Sequence, residues 1–129
     1  MNFVKYIGIP FVDGGRDLNG LDCWGLVKLI YKEQYNIDLP EYYISAMATV
    51  SITAEMRAEE HKWIKLEQPE APCLVVINLT CGPWADHVGV YLGVGKFIHC
   101  YKRSGVVIDR LSHWQSRIIG YYKPGWLHD

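Results

Sequence analysis

The sequence predicts an α+β domain, on three observations. One strong helical period lies near the start, the texture changes after Pro69 and Pro72 to short β-branched runs, and glycines punctuate those runs. Helices gathered ahead of strands, rather than alternating with them, mark this layer arrangement. No repeat, low-complexity tract or linker divides the chain, so residues 1–129 read as a single domain with one core.

The elements follow in order. Ile9 to Gly15 is rich in glycine and proline and reads as an ordered loop that delivers the chain to Asp22-Cys23. From Cys23 to about Gln34, Leu26, Val27, Ile30 and Tyr31 recur at three- and four-residue spacing, an amphipathic helix with Asp22 as its N-cap. Pro40 forbids continuation. A second helix is predicted over residues 53–63, capped by Thr53 or Ser51. Five strands are then expected, over residues 73–79, 87–92, 96–101, 106–111 and 118–123, forming a mostly antiparallel sheet.

Half the residues are hydrophobic and 21% are charged, which excludes a disordered chain. Thirteen basic residues against fourteen acidic ones leave a formal net charge of -1, no field for a phosphate backbone, so nucleic acid is not an expected partner. No stretch reaches the roughly 18 apolar residues of a membrane span, and the first residues carry no signal-peptide pattern; synthesis in the cytoplasm is expected. Cys23, Cys73, Cys81 and Cys100 are read as free thiols.

Cysteine attacks as its thiolate, and the first turn of a helix favours that form; Cys23 stands there. A free cysteine is more commonly a small buried hydrophobe, so a base must accompany it. His87 opens a strand on which Val88, Val90 and Leu92 face one side and His87, Gly89 and Tyr91 the other. Read as a three-residue hairpin loop with Gly95 left-handed, Gly93-Val94-Gly95 pairs Gly89 with His99. His87 and His99 then lie on one face as diagonal neighbours, roughly 7 to 8 Å apart in the backbone. This gives nucleophile, base and orienting group, with Gly89 leaving room between the rings. Cys100 should point into packing, and His61, His113 and His128 lack such a setting.

These residues resemble the NlpC-type cell-wall peptidases. The helix-start motif Asp-Cys-Ser-Gly-Leu/Phe appears as Asp22-Cys23-Trp24-Gly25-Leu26. His-Val-Gly-Ile/Val-Tyr appears as His87 to Tyr91, and the polar third position as His99. The resemblance runs from about Tyr6 to Tyr122. It implies a papain-like fold, helices packed on an antiparallel sheet of about five strands, with the nucleophile at a helix N-terminus. It also implies Cys23 as nucleophile, His87 as general base and acid and His99 as its orienting partner, with no cofactor and no metal. The Cys23 backbone amide is expected to serve the oxyanion, with Asp22 in support as a cap. The implied substrate is the peptide stem of peptidoglycan, typically the γ-D-glutamyl-diamino acid bond.

Trp24 in place of serine, with Gly15-Arg16-Asp17 ahead of the motif, resembles the branch found among phage and prophage tail proteins, which implies action at the cell wall with other tail proteins as partners. Phe11 stands where relatives often carry a tyrosine near the nucleophile. Tyr6 is the candidate to replace that hydroxyl, and Phe11, Trp24 and Tyr6 are the candidate groove residues. Three other readings compete: a metal site drawn from the cysteines and histidines, a silent tail or peptidoglycan-binding module, and an amidase or acyltransferase using the same Cys-His-His set. Cys73 and Cys81, separated by seven residues with no close Cys-x-x-Cys pair, argue against the metal.

Overall fold

The computed structural model describes residues 2–41, 62–79 and 86–127. Helix α1 spans Cys23–Tyr35, as the apolar spacing requires. Asp22 caps its start by accepting a hydrogen bond from the Gly25 amide at 2.7 Å, and Asn36 ends it in the left-handed conformation that asparagine tolerates. Ahead of it, β1 (Arg16–Asp17) and β2 (Gly20–Leu21) form a two-stranded antiparallel ribbon.

The main sheet has six strands: β3 (Trp63–Leu66), β4 (Leu74–Ile77), β5 (His87–Gly93), β6 (Lys96–Tyr101), β7 (Gly105–Arg110) and β8 (Ile118–Pro124). Their order is β3-β8-β4-β5-β6-β7, and every pairing is antiparallel. All five expected strands are present, and β3 is additional. Trp63, expected to end the second helix, instead opens this edge strand; the rest of that helix, residues 53–61, lies outside the described residues, as does Cys81. Four residues with a single charge, Trp63-Ile64-Lys65-Leu66, are too few to separate a strand from a helix end by periodicity.

Alternation along the central strands sends side chains to two faces. Leu74, Val76, Val88, Val90, Ile98 and Cys100 pack with α1 through Leu26, Val27, Ile30 and Tyr31. On the other face Val75, Ile77 and Phe97 pack with Leu111, Trp114 and Tyr121. Cys100 is fully buried in the α1 core, and Cys23, Cys73 and Cys100 are free thiols. Among the described residues no helix is long and apolar enough to cross a membrane.

The β5–β6 hairpin has the expected register by a different local route. Gly93 pairs with Lys96 around a two-residue turn in which Val94 and Gly95 both have positive φ, 55° and 74°. That turn alone would place the histidines on opposite faces. A bulge between Tyr91 and Gly93 shifts the ladder by one residue, so Gly89 pairs with His99.

Candidate active site

Cys23 is the first residue of α1, and the structure around it is built on Asp22, which is almost fully buried. Besides the cap to Gly25, its carboxylate accepts from the Gly14 amide at 3.1 Å and from Arg16 Nη1 at 2.6 Å. Arg16 also reaches Glu41 at 2.7 Å, and Glu41 meets Lys28 at 2.8 Å, so the ribbon, the helix start and the segment after Pro40 are tied together. A side chain at Gly25 would collide with the Gly15 carbonyl, which explains glycine two residues after the cysteine.

The thiol is buried, only 7% exposed. Burial and then the neighbouring Asp22 carboxylate push its pKa up to about 12, against the backbone N–H groups of Val88 and Trp24, which favour the thiolate. Desolvation thus works against the thiolate that a helix-start position favours. The Val88 amide, hydrogen-bonded to Sγ, places the thiol beside the residue that follows His87.

His87 and His99 do meet. Nε2 of His87 lies 2.7 Å from Nδ1 of His99, with ring centroids 5.0 Å apart. Gly89 makes this possible, because an added Cβ there would sit 2.9 Å from the His99 Cβ and 2.7 Å from the Ile98 carbonyl oxygen. Burial first, and His99 second, hold His87 well below the ordinary 6.5. His99 is also lowered by burial, while Asp109 pulls it upward.

Asp109 and Trp114 were not singled out from the sequence. His99 Nε2 lies 2.7 Å from Asp109 Oδ2, and the same oxygen accepts from Trp114 Nε1 at 3.2 Å. Phe97 stacks on His99 at 4.5 Å and Trp114 stands edge-on to it at 5.1 Å, so the ring is held on both sides. A signal was available: His99 pairs with Gly89 on one side and Val107 on the other, which makes His87 and Asp109 equivalent diagonal neighbours.

The groove candidates scatter. Trp24 is fully buried, donates from Nε1 to the Pro40 carbonyl at 3.0 Å and packs edge-on against Trp63, so it is a core residue and not a groove wall. Tyr6 is fully buried, with its hydroxyl 2.6 Å from Glu33 and 3.1 Å from Gln34. Those residues sit in the last turns of α1, roughly 15 Å along the helix axis from Cys23 at 1.5 Å per residue. The Tyr6 hydroxyl therefore does not stand in for a tyrosine at the nucleophile. Phe11 is half-buried, and its backbone bridges to Leu21, two residues before Cys23. Among the described residues no group of three or more His, Cys, Asp or Glu is placed to hold a metal.

A buried cysteine at a helix start, packed against an antiparallel sheet that carries paired histidines, is the arrangement of a cysteine peptidase domain. The chain belongs to the NlpC/P60 family, whose sequence model matches residues 8–123. A probable endopeptidase of Haemophilus influenzae is 30% identical over 89% of this chain and 69% of its own length. The gamma-DL-glutamyl hydrolase of Bacillus subtilis is 29% identical over 90% of the chain, and the murein DD-endopeptidase MepS/murein LD-carboxypeptidase of Escherichia coli K12 is 26% identical over 89%. The chain spans only 26% and 55% of those two proteins. In structure, an NLP/P60 lipoprotein-like protein of Staphylococcus aureus aligns over 98% of the chain and 39% of its own, with a TM-score of 0.66 and 26% identity. The NlpC/P60 domain of the peptidoglycan hydrolase SagA aligns over 92% of this chain and 90% of that one, with a TM-score of 0.63 and 23% identity.

Proposed function

We propose that this chain is a peptidoglycan endopeptidase that cleaves the peptide stem, with Cys23 as nucleophile, His87 as general base and acid, and His99 orienting His87. The observation that carries the reading is the His87–His99 contact at 2.7 Å beside a helix-start cysteine, within a family whose relatives here are named as endopeptidases and a glutamyl hydrolase. With Nε2 of His87 turned to His99, Nδ1 is the ring nitrogen left to serve the thiol.

In the reaction, a stem peptide settling over Cys23 brings the thiol and the His87 ring together, a contact that commonly tightens only with substrate. The thiol proton passes to Nδ1 of His87, the sulfur attacks the amide carbonyl, and the oxyanion meets the Cys23 amide at the helix start. His87 then returns the proton to the leaving amine, and a water activated by the same ring releases the acyl group.

The bond expected to be cut is that between γ-D-glutamate and a diamino acid. Trp24 and the Gly15-Arg16-Asp17 segment support a place in the phage or prophage tail branch, with the enzyme acting at the cell wall beside other tail proteins. Phe11, where relatives often carry a tyrosine near the nucleophile, keeps a silent tail or peptidoglycan-binding module as the second reading. Digestion of purified peptidoglycan by wild type and Cys23→Ala, with fragments identified by mass spectrometry, separates the two. Cleaved stems from wild type alone support the peptidase and identify the bond; intact wall with both folded proteins supports the silent module.

A further inference from the structure

We propose that Asp109 is a positioning residue that sets the tautomer of His87 through His99, so that the nitrogen presented to Cys23 carries a lone pair and not a proton. This deepens the peptidase reading and rests on it for its catalytic meaning, though the proton arrangement exists without turnover.

The argument follows the direction of each hydrogen bond. An indole N–H can only donate, so Trp114 Nε1, 3.2 Å from Asp109 Oδ2, marks that oxygen as an acceptor. The same oxygen lies 2.7 Å from His99 Nε2, so that nitrogen must carry the proton. A neutral imidazole has one N–H, which leaves Nδ1 of His99 as an acceptor. It lies 2.7 Å from Nε2 of His87, which must therefore donate. By the same count Nδ1 of His87 holds the lone pair. Reversed at any link, the chain would put a proton on Nδ1, and His87 would meet the thiol as a second donor.

Position in the fold supports the assignment. The Asp109 side chain is 34% exposed on edge strand β7, where an isolated aspartate has no need of a buried partner. His99 is fully buried, and Phe97 and Trp114 restrict its ring, so its orientation is preset. During attack the S–H bond breaks and an N–H bond forms at Nδ1 of His87, with the electron pair left on sulfur. The resulting imidazolium keeps its Nε2–H bond to His99, whose own N–H remains on the Asp109 carboxylate. Positive charge is thus balanced across two rings while Asp109 never touches the substrate, the role an orienting carboxylate plays behind a catalytic histidine.

The experiment is nitrogen-15 NMR of labelled histidines in the folded wild type and in Asp109→Asn, paired with kinetics on a soluble stem peptide. In the wild type both His87 and His99 should carry hydrogen on Nε2. Asp109→Asn can turn its amide NH2 toward His99; the Nε2–H form should then lose population, kcat should fall on the order of 100-fold and KM should stay within about twofold. Asp109→Glu should recover part of kcat. A proton on Nδ1 of His87 in the wild type, or an unchanged kcat and tautomer pattern in Asp109→Asn, overturns the proposal. Failure of the peptidase reading would appear separately, as an inactive wild type whose tautomers can still be measured.

Discussion

Arg16 and Asp22 are joined at 2.6 Å, and through that pair the nucleophile's helix cap is tied to the ribbon that precedes it. Asp22 has two opposed effects: its carboxylate caps α1 and holds Gly14, while its charge disfavours a thiolate at Cys23. Asp22→Asn retains a capping oxygen and removes the charge. The thiol pKa should fall from about 12, and the rate of alkylation by iodoacetamide at neutral pH should rise. Arg16→Met leaves the buried carboxylate without its guanidinium and should cost about 1–3 kcal/mol in denaturant unfolding. Slower alkylation in Asp22→Asn would contradict the electrostatic account.

Gly89 separates the two rings of the site. Its replacement by alanine places a Cβ 2.7 Å from the Ile98 carbonyl oxygen and 2.9 Å from the His99 Cβ, both on a paired strand that cannot withdraw alone. Gly89→Ala should lose about 1–3 kcal/mol of stability and most activity. Thermal unfolding and a wall-digestion assay measure the two effects, and a fully active, fully stable variant would refute the steric argument.

Tyr31 carries the one buried side-chain oxygen or nitrogen without a hydrogen bond among the described residues. Leaving a buried hydroxyl unpaired costs about 1–3 kcal/mol, and phenylalanine removes it without changing the ring. Tyr31→Phe should therefore unfold at higher denaturant concentration than wild type, with unchanged activity. A loss of stability would reveal a role for that hydroxyl.

Stability should reach a plateau between roughly pH 6.5 and 9. His87 and His99 are both held below their ordinary 6.5, so below that pH the unfolded chain binds protons that the folded one does not, and stability falls as the pH drops. The lowered Glu33 and Glu41 extend that loss below their ordinary 4.5. On the alkaline side, burial raises Cys23, Cys73 and Cys100 above their ordinary 9.0, so the unfolded chain releases protons first and stability falls as pH rises. A series of Tm values from about pH 5 to 10 should trace both flanks, with a shallower alkaline one in Cys23→Ala. A Tm that keeps rising above pH 9 would contradict the thiol assignment.

Much of this was legible in the residues. The three- and four-residue spacing of Leu26, Val27, Ile30 and Tyr31, with Asp22 ahead of them, set α1 and its cap. Alternation about Val88 and Val90 set which residues of that strand share a face, while the expected pairing of Gly89 with His99 is reached through a two-residue turn and a bulge in place of the three-residue loop. These are local signals, and each is carried by residues a few positions apart.

What remained depended on contacts between distant segments. Trp24 read as a groove residue because an aromatic beside a nucleophile suits either surface or core; only Trp63 and the Pro40 carbonyl, brought in from later in the chain, bury it. Tyr6 is committed to Glu33 and Gln34, 27 and 28 residues away. The balance at Cys23 was likewise not local, since burial by the sheet works against what the helix start favours. Periodicity and capping thus determine which elements form and which side chains share a face, because those depend on neighbours along the chain. Which aromatics are buried, which carboxylate reaches His99 and how strongly burial works against a thiolate were decided by tertiary packing, because desolvation and hydrogen-bond partners exist only once the sheet and helix have met.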